Sequence, residues 1–282
     1  MKQNILKAFL AFVACFVQCG CSTFGDTPDN FDKGRASLRE HDFPRAIEHL
    51  RRFTEDHPND EVAWYNLGIA YQDNGQLDHA VLAYERALAV APSHARSMVN
   101  LAFVYHALKR SDDAEAMLKR ACDAEDTRAF PLYSLGYYYE QTGKHDLAGQ
   151  NYRKALEREP KNALAHYRYA GFLAANNDPE KALLHYRLAL ESAPDDLPSL
   201  LDAGKTALTL KQWGLAASMY EQALLLSPTR VDARIGCARA LIESGDFERA
   251  TVHLWAARDL DPVSVDVTSL LTRAYAGLKA EK

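Results

Sequence analysis

Alanine recurs at a fixed step of 34 residues through most of this chain: Ala46, Ala80, Ala114, Ala148, Ala182, Ala216 and Ala250. A second small column follows at Ala87, Ala121, Ala155, Ala189, Ala223 and Ala257, with Phe53 the one exception. Proline keeps the same step at Pro58, Pro92, Pro160, Pro194, Pro228 and Pro262, and Asp126 fills the single gap. Gly34, Gly68, Gly136 and Gly204 mark another column, with Ala102, Ala170 and Ala238 in the other units. No insertion breaks the register from about Asn30 to Pro262. A period of roughly 20–50 residues marks an array in which each unit buries its apolar face against its neighbours.

Packing gives each column a physical reason. Small residues such as Gly68 and Ala80 let two helices of a pair approach closely, and Tyr71 and Tyr84 fill the space beside them. Gly75, Gly143 and Gly245 stand where a first helix must end, and glycine adopts the required left-handed backbone most cheaply. The prolines stop each second helix. No period-two pattern of strands appears, so the predicted class is all-α. In the second unit Trp64, Leu67, Gly68, Tyr71, Ala80, Tyr84, Ala87 and Pro92 resemble the tetratricopeptide repeat at every diagnostic position. That resemblance implies a solenoid of seven helix-turn-helix repeats over residues 27–264, with a capping helix over 265–282. Leu271 and Tyr275 fall at core positions of that last helix, and Trp64 and Trp213 at core positions of the array. Trp255 is expected to pack under the cap, the other reading being a second contact surface.

The first 20 residues read as an address. Two lysines precede the apolar run Ala8 to Val17, which is about half the roughly 20 residues a membrane-spanning helix requires. Gly20-Cys21 resembles the end of a bacterial lipoprotein signal, with Ser22 to Asp26 as a tether. Gln18, three before that cysteine, departs from the family's usual apolar residue. The resemblance implies acylation of Cys21 and attachment at the periplasmic face of the outer membrane, since Ser22 matches the residue that permits export there. An ordinary cleaved signal with unmodified cysteines is the alternative.

Composition and motifs argue against chemistry. A net charge of −5 without a basic block speaks against nucleic-acid binding. Cys122 and Cys237 stand apart from each other, and the ten histidines form no HExxH or Cys/His spacing, so neither a metal site nor a cofactor is expected. Gly136 to Lys144 faintly resembles a phosphate loop, but repeat register makes Gly136 a packing residue and Gly143 a helix stop. A non-enzymatic protein without a small-molecule substrate is the expectation.

In tetratricopeptide solenoids the first helix of each pair lines the concave side. The resemblance therefore implies a partner groove lined by Tyr65, Asn66, Ile69, Arg96, Val99, Asn100 and Phe103, then by Phe130, Tyr133, Tyr137, Tyr167 and Arg168. Asn66 and Asn100 match the family's asparagines that bond a bound peptide's backbone. Phe31 and Arg35 stand where the carboxylate-clamp members carry Lys and Asn, so recognition of chaperone tails is not implied. An aromatic groove suits a protein or extended peptide partner. The chain looks like bacterial tetratricopeptide lipoproteins that assist type IV pilus or secretin assembly, or that scaffold cell-wall hydrolases. A glycan-binding protein, with tyrosines stacking on sugar rings, and a non-catalytic subunit of an envelope enzyme complex are the alternatives.

Overall fold

The structure, a computed structural model, describes residues 29–124 and 128–280. The expected signal, the Cys21 attachment point and the tether lie outside the described residues. Those described form fifteen α-helices and no strand. Two compact units divide the chain, Met1–Thr127 and Arg128–Lys282. The first holds α1 (Asn30–Arg39), α2 (Phe43–Asp56), α3 (Glu61–Asp73), α4 (Leu77–Val90), α5 (Ala95–Ala107) and α6 (Ser111–Asp123). The second holds α7 (Ala129–Gln141), α8 (His145–Arg158), α9 (Ala163–Ala175), α10 (Pro179–Ser192), α11 (Leu197–Thr209), α12 (Trp213–Leu226), α13 (Val231–Glu243), α14 (Phe247–Leu260) and α15 (Val265–Ala280). The unbroken 34-residue register gave no sign of this division, which falls at the connection where Asp126 interrupts the proline column.

Each hairpin is built from the same local devices. The first helix closes with the amide two residues past its cap reaching back five residues, as in Gln76 to the Tyr71 carbonyl at 2.8 Å and Asp246 to the Leu241 carbonyl at 2.8 Å. The residue between is left-handed in all seven hairpins: His41, Gly75, Lys109, Gly143, Asn177, Lys211 and Gly245. Aspartate or asparagine side chains then accept from the third helical amide at Asp42, Asp60, Asn162, Asp178, Asp196 and Asp246, satisfying an otherwise orphaned donor. Each proline of the column stands two residues beyond the end of a second helix.

The seven alanines of the 34-step column are all completely buried at the contact between paired helices. Gly68 shows why that contact tolerates nothing larger, because a Cβ there would lie 2.5 Å from the Tyr84 ring. Successive first helices also touch one another, α1 with α3 and α3 with α5 in the first unit, and α7, α9, α11, α13 and α15 in turn in the second. Successive second helices make no contact of comparable extent, so the first helices form the inner layer of each unit.

The tryptophans and the last helix need partial correction. Trp255 lies beside α15 as expected, its indole N–H donating to the Tyr275 hydroxyl at 2.8 Å and its ring under the Arg258 guanidinium at 3.9 Å. Tyr275 is 42% exposed and not a core residue, whereas Leu271 is buried. Trp64 and Trp213 are half-buried, and the Trp64 indole donates to the Pro58 carbonyl at 2.9 Å. An amphipathic ring at the rim of a helix pair keeps its polar edge bonded while burying the rest.

Candidate protein-binding face

In the first unit, the inner helices α3 and α5 carry seven of the expected groove residues, and the structure splits them. Tyr65, Asn66, Ile69 and Arg96 are half-buried and reach the surface. Val99, Asn100 and Phe103 are buried, against expectation. The reason is that α5 is apolar nearly all round, so positions that face solvent on an amphipathic helix are covered here. Asn100 is consumed by packing: its amide donates to the Tyr84 hydroxyl at 3.3 Å and the Tyr65 hydroxyl at 3.4 Å. Tyr84 in turn donates to Gln72 at 3.0 Å, closing a buried polar network. Asn66 turns its amide back onto the Val62 carbonyl at 2.7 Å. Asn100 therefore presents no open amide of the kind the family resemblance implied, and Asn66 spends one amide N–H on its own helix. Burial raises the Tyr65 hydroxyl pKa, with the Arg96 charge opposing.

In the second unit, Tyr133 is likewise buried within the apolar helix α7, with Phe130 set edge-on to it at 5.6 Å. Phe130, Tyr137, Tyr167 and Arg168 are half-buried. The fold brings the last three together: the Arg168 guanidinium lies 5.3 Å from the Tyr137 ring and 5.8 Å from the Tyr167 ring. Two acids adjoin them. The Tyr167 hydroxyl donates to Asp202 at 3.0 Å, and the buried Tyr152 hydroxyl donates to Glu140 at 2.7 Å. Burial raises both carboxyl pKa values, opposed at Glu140 by the Tyr152 bond and the Arg168 charge, and at Asp202 by the Tyr167 bond and Lys205. Planar rings, a guanidinium and two bonded carboxylates side by side suit contact with an extended chain, whose flat amides stack and whose polar groups pair.

Two sequence readings are settled locally by packing and backbone. Gly136 is a buried helical residue whose added Cβ would lie 3.1 Å from the Tyr152 ring, and Gly143 has φ +74° at a helix end. They serve the repeat. Linear spacing shows no Cys/His cluster, and the fold brings potential ligand atoms of Glu221, Cys237 and His253 within 4.8 Å of one another. They come from three successive helices, 16 residues apart each time, a relation visible only once the hairpins are folded.

Comparison with known proteins bears on the whole array. Models described as tetratricopeptide repeat match residues 62–94, 95–127, 133–196 and 207–274. A TPR repeat-containing protein of Pseudomonas aeruginosa is 41% identical over 64 residues, which are 23% of this chain and 61% of that protein. The peroxisomal targeting signal receptor of Kluyveromyces lactis is 38% identical over 59 residues, 21% of this chain. This chain spans only 10% of that receptor's length. Among solved structures, PilF of Pseudomonas aeruginosa superposes with TM-score 0.60 at 18% identity, over 80% of this chain and 99% of its own. PilW superposes with TM-score 0.60 at 17% identity, over 75% of this chain and 98% of its own. At such identities the likeness is one of fold. With the repeat models covering most of residues 62–274 and the fold agreeing, this chain belongs to the tetratricopeptide repeat family.

Proposed function

We propose that the chain is a non-catalytic adaptor that holds an extended protein segment against the inner helices α7, α9 and α11 of its second unit. Proteins of this family mediate protein–protein interactions. The observation that carries the reading is the cluster of Tyr137, Tyr167 and Arg168 with Glu140 and Asp202 beside it. Aromatic and arginine side chains of this kind supply most of the energy of protein interfaces. Tyr65, Ile69 and Arg96 offer a second, smaller contact on the first unit.

Attachment to an envelope membrane through acylated Cys21 is part of the same proposal, and it rests on the resemblance of Gly20-Cys21 to a lipoprotein signal. Each buried methylene of an acyl chain contributes about 0.8 kcal/mol, so several chains give lasting attachment. No described helix is long and apolar enough to cross a membrane. The fold likeness to PilW, a type IV pilus biogenesis factor, favours a role in assembling an envelope machine.

A photo-crosslinker placed at Tyr137 or Tyr167 tests the adaptor in source cells. A single protein adduct at those positions, absent when the same group replaces exposed Leu184, is the expected result. Adducts of equal yield at all three sites, or glycan adducts alone, sink the reading. Metabolic labelling with palmitate, lost in Cys21→Ala, tests the anchor separately.

A further inference from the structure

The repeat supplies its own control for the cluster at Glu221, Cys237 and His253. In the column of Cys237 the second, third and fourth units carry Leu67, Leu101 and Leu135, all buried as ordinary core. The column of Glu221 holds a base in four other units, at Arg51, Lys119, Arg153 and Arg187, and a carboxylate in one, at Glu85. The column of His253 holds Ala83, Met117, Asn151 and Met219, and histidine again at His49 and His185. Histidine and glutamate thus recur singly in their columns, but a thiol, an imidazole and a carboxylate come together at this one place in the array. Glu221 comes from α12, Cys237 from α13 and His253 from α14.

We propose that Glu221, Cys237 and His253 form a binding site for a thiophilic divalent transition-metal ion, zinc above all. Thiolate, imidazole and carboxylate together are a donor set that suits zinc and disfavours magnesium or calcium. Zinc bound tetrahedrally holds its ligands at about 2.0–2.3 Å, which places ligand atoms roughly 3.3–3.7 Å apart. Here the three atoms lie within 4.8 Å, and His253 and Glu221 approach to 3.9 Å, so a small side-chain adjustment closes the site. Glu221 is half-buried and can supply it, while Cys237 is fully buried and fixed by α13. The His253 Nδ1 is buried without a hydrogen-bond partner among the described residues, a cost that ligation through Nε2 leaves in place and that ligation through Nδ1 of a turned ring removes. The fourth position is left to water. Binding replaces the S–H bond of Cys237 by a metal–sulfur bond and releases that proton to solvent.

The surrounding charges set the competition. Arg249 pairs with both Glu221 and Asp246, and is the cation a metal must share Glu221 with. Arg234 is tied to the Pro228 carbonyl at 2.7 Å. Removing the Arg249 charge should therefore tighten metal binding.

Titration of the full chain with cobalt(II) tests the site. One equivalent of cobalt should raise a near-ultraviolet thiolate charge-transfer band, and zinc should displace it. The band should vanish in Cys237→Ser. Affinity should fall at least about tenfold in Glu221→Gln and rise in Arg249→Gln. Absence of a band saturating at one equivalent overturns the proposal. So does a band that survives in Cys237→Ser, which would belong to another cysteine, or an unchanged affinity in Glu221→Gln. The Glu221→Gln measurement keeps the test decisive if Cys237→Ser fails to fold, because that side chain is not part of the core.

Discussion

Asp73 ends α3 with one carboxylate oxygen buried and unbonded, and burial lifts its pKa to about 6 despite the nearby His41 charge. Between about pH 4 and 6 the unfolded chain has already lost this proton while the folded chain keeps it. Unfolding then releases a proton, so this residue's contribution to stability falls as pH rises through that window. Asp73→Asn should be more stable than the parent by about 1–2 kcal/mol at pH 7.5, and the gain should disappear near pH 4; urea titrations at the two pH values check it. At the same scale, Gly68→Ala should cost about 1–3 kcal/mol, since its Cβ meets a Tyr84 ring that is fully buried and bonded through its hydroxyl to Gln72. Chemical denaturation reads that loss. Residue-level function was harder to see in the sequence than residue-level packing. Column position told which residues are small or large, but not that Val99, Phe103 and Tyr133 are covered or that Asn100 is spent on tyrosine hydroxyls. Those outcomes depend on what surrounds a helix, and α5 and α7 are apolar on nearly every side.

At the scale of the element, the hairpin turn is the device that repeats most faithfully. Its left-handed residue is glycine in three units and His41, Lys109, Asn177 or Lys211 in the others. Only the glycines announced the turn in the sequence; the other four are hidden because backbone conformation, not side chain, defines the position. A side chain there costs about 1 kcal/mol relative to glycine. Nothing lies within 4 Å of a Cβ added at Gly143, so Gly143→Ala should lose about 1 kcal/mol through the backbone alone. Lys211→Gly should gain up to about the same, unless the unfolded chain's added freedom offsets it in part. Thermal midpoints of the two variants, shifted in opposite directions, are the measurement. Helix class, helix ends and the buried alanine seam were all legible because each rests on local chemistry repeated seven times.

At the scale of the whole molecule, the register runs on through a chain that contacts divide into two units. Periodicity reports how each pair is built, and says little of how many contacts cross a given connection. Repeat arrays pass stability only between neighbours, and so a defect should stay local. Hydrogen exchange of Gly68→Ala should speed up across α1 to α6 far more than across α11 to α14; equal acceleration in both would show a single cooperative block. The cluster of Glu221, Cys237 and His253 illustrates the same limit from the other side, since its members are brought together by three helices that no linear motif joins.

The seven left-handed turns at a constant step carry one more implication. Histidine, lysine, asparagine and glycine all serve there, so the position forgives the wrong letter. The helices do not forgive an extra one: a single residue inserted within α4 between Ala80 and Tyr84 would turn all that follows by about 100° and carry Tyr84 out of the seam. Point replacement at the turns and gain or loss of whole units therefore leave the seam in phase, while one residue added or removed inside a helix does not.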